Sequence, residues 1–387
     1  MTIKKINNWL HLWLGLISGI IVFIVCITGC LWVFNEEIEG IIEPWRKVEV
    51  QKKPYLLPSK VIESARKHLN LVTDEVPWGI HYRPDRAVTI ELDEREVSMN
   101  PYSGEILNVH DHNETHFDFF HFVLDGHVNL WLPYEIGRPI VDYGTLVFVI
   151  LLITGLVWWY PKKWTKSTRE KSFKIKWTAG WKRINLDIHN VLGFYSLLFT
   201  FVLAVTGLTF GFRWVDNGVY WIFSGGKIAP ESSKITLVSD TLNLNPYGQT
   251  RETAIDSVLT FLEARVPDAK VIGIDWPDPK NAAVIRTRIT YPVLGTYKSD
   301  VYTFDKHTFK VLATELYEDE NNGGKARRMY YDFHVGIIMG FWGKVIAFVA
   351  TLIGASLPVT GFLIWYNRKW GKKKGIKSKN AKIELNL

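Results

Sequence analysis

The chain has 387 residues, with 46 Lys and Arg against 39 Asp and Glu, for a formal net charge of +7. The basic residues flank long apolar runs instead of forming a binding stripe, which argues against nucleic acid as the partner and for a topology signal plus attraction to anionic lipid. Only two cysteines occur, Cys26 and Cys30, four apart within the first apolar run. They share one helical face, geometry disfavours a disulfide between them, and they read as small packing residues.

In chain order, the first apolar segment is Trp9–Phe34. It exceeds the roughly 20 residues needed to cross a hydrocarbon core of about 30 Å. In lipid the backbone must satisfy its own hydrogen bonds, so the crossing is expected to be helical. It is too long for a signal-peptide core and lacks a clear cleavage site, so residues 1–34 are expected to remain as an anchor.

Residues 35–137 begin with a short linker and a helix expected at Ser59–Leu69. Extended runs follow at Gly79–Arg83, Ala87–Leu92 and Glu96–Met99. The turn Asn100-Pro101-Tyr102-Ser103-Gly104 leads to another run at Glu105–Val109. Pro and Gly place that turn between two strands. A second crossing is expected at 138–160, a basic loop at 161–187 and a third crossing at 188–212. Residues 213–332 repeat the earlier order, with a helix near Arg251–Ala264 and strands near Val271–Trp276, Ala283–Thr290, Lys298–Phe304 and Lys310–Thr314. A fourth crossing at 333–366, in which Pro358 is a kink candidate, and a basic tail at 367–387 complete the chain. The expected fold is an α-helical membrane protein with four transmembrane helices and two small α+β domains, each packing a helix on an antiparallel sheet, the whole internally duplicated.

Lys4 and Lys5, the run from Lys162 to Arg183, and the tail from Arg368 to Lys382 share one side by the positive-inside bias. Both termini are therefore expected to be cytoplasmic and both α+β domains external. Tryptophans at segment ends, such as Trp9, Trp32, Trp159, Trp214 and Trp365, mark the interfacial belts.

Paired histidines carry the functional reading. His11 and Gly15 open the first span as His189 and Gly193 open the third, and Thr28-Gly29 matches Thr206-Gly207. Thr154-Gly155 with Trp159-Tyr160 matches Thr360-Gly361 with Trp365-Tyr366. Upstream, His127 before Gly137-Arg138 corresponds to His334 before Gly343-Lys344. Histidine at membrane depth is a functional hypothesis by default. Four in register suggest two bis-histidine sites, whose natural occupant is haem. Gly15 and Gly193 lie on their histidine's helical face and remove a side chain where a flat macrocycle would need room.

From Tyr366 back to His334 is 32 residues, roughly 48 Å if helical throughout. That puts the second site in or above the outer headgroup layer, and the two sites more than about 30 Å apart. Arg138 and Lys344 are propionate partners or interface anchors. His127 is the outer ligand by repeat register, and His121 is the rival because Phe120-His121 resembles Phe333-His334. His110, His112 and His116 form a cluster whose spacing fixes no complete metal-ligand set, so it is a divalent-metal site or a solvated loop. His68, His81 and His307 sit in ordinary soluble contexts.

The chain resembles the PepSY-associated transmembrane-helix family of iron-regulated membrane proteins. The matching residues are His11-Leu12-Trp13-Leu14-Gly15, His189-Asn190-Val191-Leu192-Gly193, the turn at 100–104, Ile136-Gly137-Arg138-Pro139, and the run 153–161 from Ile153-Thr154-Gly155 to Tyr160-Pro161. The resemblance implies PepSY-like periplasmic domains, a bacterial inner-membrane location, b-type haem and reduction of ferric siderophores. The second domain's turn, Asp305-Lys306-His307-Thr308, departs by lacking Pro and Gly. No Gly-x-Gly-x-x-Gly fingerprint is present, so electrons are expected from a quinol or a separate donor. A membrane-anchored binding or regulatory protein is the alternative, but leaves the paired histidines unexplained. A transporter is disfavoured by the scarcity of charged and broken spans.

Overall fold

The structure is a computed structural model describing residues 2–69, 79–92, 95–111, 117–230, 251–275, 284–291, 295–306 and 308–370. His112, His116 and His307 lie outside the described residues.

The chain opens with helix α1 (Ile3–Trp32), then the short α2 (Asn35–Ile42) and α3 (Pro58–Leu69). Strands β1 (Gly79–Tyr82), β2 (Val88–Glu91), β3 (Arg95–Met99) and β4 (Ile106–Asp111) follow. Next come α4 (Phe119–Asn129), α5 (Tyr134–Trp159), α6 (Lys166–Phe173) and α7 (Trp181–Gly211). The second half continues with α8 (Arg213–Phe223) and α9 (Arg251–Arg265). Strands β5 (Val271–Asp275), β6 (Val284–Thr290), β7 (Ser299–Asp305) and β8 (Val311–Glu315) lead to α10 (Asn322–Arg328), α11 (Tyr330–His334) and α12 (Gly340–Trp370).

Among the described residues, four helices are long and apolar enough to cross a membrane: α1, α5, α7, and α12 with the turn before it. They pack as one bundle around Val22, Cys26, Phe148, Leu152, Ala204 and Ala355. Cys26 and Cys30 are free and buried. Cys26 Sγ lies where Gly354 has no side chain, and Cys30 Sγ is 3.0 Å from Thr351 Oγ1, so both thiols pack the contact between α1 and α12.

Two α+β domains were expected; among the described residues the eight strands form one antiparallel sheet in the order β4-β3-β2-β1-β5-β6-β7-β8. The join is β1 against β5, with Ile80 opposite Ile274 and His81 opposite Gly273. Helices α3 and α9 cover a common core of Val61, Ile62, Ile90, Val97, Leu262 and Phe304. Asp256 of α9 accepts the Ser59 amide at 2.8 Å, placing a carboxylate at the positive N-terminus of α3. Truncating a buried side chain such as Leu262 to alanine costs about 2–5 kcal/mol. The half-exposed Arg286–Glu315 pair contributes about 0–1 kcal/mol. That pair lies within the second unit, while the apolar core is shared by residues of both units, so apolar burial is what joins them.

The matching turns close with the same backbone bond despite different residues: the Gly104 amide donates to the Asn100 carbonyl and the Phe309 amide to the Asp305 carbonyl, each at 2.9 Å. Asn100 Oδ1 accepts the Tyr102 amide at 2.9 Å, and Gly104 takes φ +74°. In the second unit Asp305 Oδ1 accepts the Thr308 amide at 2.7 Å, and Phe309 takes the left-handed place at φ +55°. A short acceptor side chain at the first position suffices to set the turn.

A candidate bis-histidine centre at each end of the bundle

Each histidine is seated on a neighbouring helix by a threonine-glycine pair. His11 Nδ1 lies 3.0 Å from Thr154 Oγ1, and His189 Nδ1 lies 2.8 Å from Thr360 Oγ1. At the sheet end, His127 Nδ1 is 3.3 Å from Thr28 Oγ1 and His334 Nδ1 is 3.0 Å from Thr206 Oγ1. The glycine after each threonine removes a side chain that would crowd the ring. A Cβ on Gly155, Gly361, Gly29 or Gly207 would stand 3.2–3.3 Å from Cε1 of His11, His189, His127 or His334. The four Thr-Gly pairs visible in the sequence are therefore histidine seats, each acting across a helix contact.

The seats also fix which nitrogen is free. His127 Nδ1 lies 2.9 Å from the Val25 carbonyl, and His334 Nδ1 lies 2.9 Å from the Leu203 carbonyl. A carbonyl only accepts, so Nδ1 carries the proton. At the far end Thr154 and Thr360 donate to Ile150 and Ser356 of their own helices, each at 2.9 Å. Their oxygens then accept from the imidazoles. All four rings leave Nε2 with an open lone pair, the state a metal ligand requires.

The rings meet in two pairs. His11 and His189 stand 6.3 Å apart by centroid, and His127 and His334 stand 5.9 Å apart. Two metal–nitrogen bonds of about 2 Å each, plus the rings' own radii, place axial imidazole centroids roughly 6 Å apart. The donor set and spacing fit one metal of a flat macrocycle at each pair.

Space around the pairs agrees with this. A cavity of about 410 Å³ is lined by His11, His189, Gly15, Val22 and Phe148, with Asn8 and Arg368 among its polar residues. A smaller hollow of about 70 Å³ also touches both rings and is lined by Gly155, Gly193 and Phe194. At the sheet end a cavity of about 340 Å³ holds His127, His334, Arg138, Asp142, Phe210 and Tyr331. Two of these volumes fall within the range of small-molecule sites, roughly 300–1,000 Å³.

The structure sorts the sequence candidates. Gly15 and Gly193 line the far cavities, although an added Cβ at either would meet leucine, not a histidine ring. His127, not His121, faces His334. The His121 side chain is 70% exposed and pairs with Asp125 at 3.5 Å. Arg138 lines the near cavity and pairs with Asp142 at 3.0 Å. Lys344 does not line that cavity: it is 3% exposed and bonds Glu37 at 2.8 Å. His110 lies on the edge strand β4, away from both pairs.

His334 is not on a straight extension of the fourth span. The chain turns at Gly336, φ +78°, makes a single 3-10 turn at Ile337–Met339 and enters α12 at Gly340. The histidine reaches back to Leu203 and Thr206 inside α7. His127 does the same toward α1, because left-handed Leu130 and Trp131 reverse the chain before α5. Gly137 and Gly343 make the reversals fit. A Cβ on either would overlap a backbone carbonyl, that of Asn129 or Gly336. The near pair therefore sits within the bundle, below its end. His11 to Thr28 and His189 to Thr206 are each 17 residues, about 26 Å of rise, shorter than the separation expected from an unbroken fourth helix.

Sequence reasoning missed Asn7 and Asn185. Each lies four residues before a far-site histidine and donates to the carbonyl of that histidine's threonine, at 3.0 and 3.1 Å. The repeated Asn-x-x-x-His-x-x-x-Gly register was the available signal. Arg368 was read only as a topology charge.

A four-helix membrane bundle carrying paired histidines near both ends, with a sheet above one of them, defines a class of membrane protein with two candidate internal sites. The chain belongs to the family described as PepSY-associated TM region, whose profile matches residues 8–368. A search of curated proteins found no match.

Proposed function

We propose that this protein binds two b-type haems and carries electrons across a bacterial inner membrane to reduce ferric siderophores on the sheet side. One observation carries the reading: in both histidine pairs each ring has Nδ1 engaged, and the rings stand 6.3 and 5.9 Å apart by centroid. His11 and His189 would hold the far haem, and His127 and His334 the near one. Arg368 and Arg138 are the cations lining the respective cavities, so they would face haem carboxylates. Held by the two histidines of a pair, haem would supply a one-electron iron couple, which suits a relay.

In this reading the halves descend from a duplication, the termini are cytoplasmic, and a quinol or separate donor supplies electrons at the far site. A hollow of about 180 Å³ between sheet and bundle shares Trp32, Tyr331 and Val335 with the near cavity. In this reading its polar wall of Glu36, Arg83 and Thr296 would be the approach of an external ferric chelate to the near site. Reduction there loosens the chelate, because hard oxygen donors hold iron(II) less well than iron(III).

The test is a visible spectrum of the purified protein with haem quantified per chain. Two low-spin b-type haems per chain are expected, reoxidised after chemical reduction by a ferric hydroxamate with trappable iron(II) released. A protein purified without haem, and unable to take it up, would sink this reading in favour of a binding or regulatory role.

A further inference from the structure

We infer that α8 is an interfacial helix whose apolar face lies in the headgroup boundary of the bilayer, on the sheet side. The helix begins one residue after α7 ends; Phe212, at φ −118° and ψ 111°, breaks the helical path. α8 therefore continues directly from the end of a membrane-crossing element.

Its exposed face is apolar. Trp214 is 62% exposed, Trp221 56% and Ile222 66%. Trp214 and Trp221 are seven apart and share a face, with Gly218 between them, where an added Cβ would meet nothing within 4 Å. Ile228, just beyond the helix, extends the exposed surface. Tryptophan on an apolar face, with Arg213 and Lys227 at its two ends, is the chemistry of a lipid interface. The same place after α1 holds α2, whose Ile38, Ile41 and Ile42 are also exposed. A lipid surface is the occupant that both faces share, since each adjoins the end of a spanning helix.

The opposite face of α8 is fastened to the protein. Asp216 accepts two hydrogen bonds from Arg327 at 2.8 Å each. The Arg327 guanidinium lies 4.6 Å from the Tyr220 ring centroid, and the Tyr220 hydroxyl accepts from Asn321 at 2.6 Å. Arg327 belongs to α10, which leads through Met329 into α11 and His334. A bilayer-seated α8 thus sets the height of the turn that carries His334.

The full chain is reconstituted in phosphatidylethanolamine–phosphatidylglycerol vesicles with a fluorophore on Gly218→Cys, Trp221→Cys or, as a reference on the sheet, Val311→Cys. The native thiols are buried and escape labelling. Labels at 218 and 221 should be quenched by lipids brominated near the headgroup and shielded severalfold from aqueous iodide, while the label at 311 shows the reverse. Gly218→Cys adds a side chain in open space, so the test survives any misfolding of the Trp221 variant. Iodide access at 218 equal to that at 311 overturns the inference. So does disulfide crosslinking between copies at 218, which would make a second copy the occupant. Neither result depends on haem.

Discussion

His127 and His334 face each other at 5.9 Å although they enter from separate short helices, α4 and α11. Each bonds a different spanning helix, His127 to α1 and His334 to α7. The pair therefore closes only when the bundle has assembled and both chain reversals are in place. His334→Ala or His127→Ala should lower haem from two to one per chain while the far-site absorbance persists. Pyridine haemochrome quantification of the purified variants reads this. Retention of both haems in both variants would break the pairing.

The threonine seats should tune the ligands rather than merely fill space. Thr206→Val keeps the shape and removes the hydroxyl that accepts from His334. Loss of such a partner typically weakens a metal site by about 10–100-fold. Faster haem loss and a shifted midpoint potential are expected at the near site, and Thr206→Ser should restore both. A valine variant with unchanged potential and retention would reduce the seat to packing.

Asp332 ties the sheet to the near site. Its carboxylate is fully buried and accepts the Thr296 amide at 2.9 Å and the Tyr297 amide at 3.0 Å. It lies two residues before His334. Asp332→Asn leaves one acceptor oxygen where two served, and an unmet buried donor costs about 1–3 kcal/mol. Hydrogen exchange at Thr296 and Tyr297 should accelerate accordingly, with broadening of the near-site haem spectrum. Unaltered exchange at both amides would refute the tie.

The sheet join should respond to pH. His81 Nε2 lies 3.4 Å from Glu91 Oε1 and 4.0 Å from Asp275 Oδ1, the latter on the adjacent strand of the other unit. The hydrogen bond to Glu91 raises the His81 pKa, against partial burial, with both carboxylates adding to the rise. A raised folded pKa means the contribution is complete below the unfolded value of about 6.5. It is lost as pH rises through the folded pKa. Protection of the Ile80 and Ile274 amides, corrected for intrinsic exchange, should fall across that window. His81→Gln should flatten the dependence; an equal slope in that variant would assign the effect elsewhere.

Orientation is separately testable. Reporters fused after Leu387 and within the loop at 161–180 should both register on the cytoplasmic side. An external C-terminus would invert the assignment of electron entry and exit.

Much of the architecture was legible in the residues. Apolar runs long enough to span located the four crossings, and extended runs bounded by turn residues located all eight described strands to within about two residues. The start of the fourth helix was misplaced because Phe333-His334 and the α12 sequence are both apolar. Only Gly336 and Gly340, at φ +78° and +62°, mark the reversal between them, and glycine alone does not announce which dihedral it takes.

The sequence by itself determined the spans, the strands and the recurrence of histidine, threonine and glycine. Hydropathy period and residue spacing are local quantities, set by how each segment meets water, lipid or its own neighbours. Tertiary structure alone decided that β1 pairs with β5, that Lys344 turns to Glu37 while Arg138 faces the histidines, and that each glycine clears space for a ring on another helix. Those outcomes depend on which surfaces meet when the helices pack. A glycine four residues from a histidine shares its face by helical geometry, but the glycine against the imidazole is the one that interhelical contact places there.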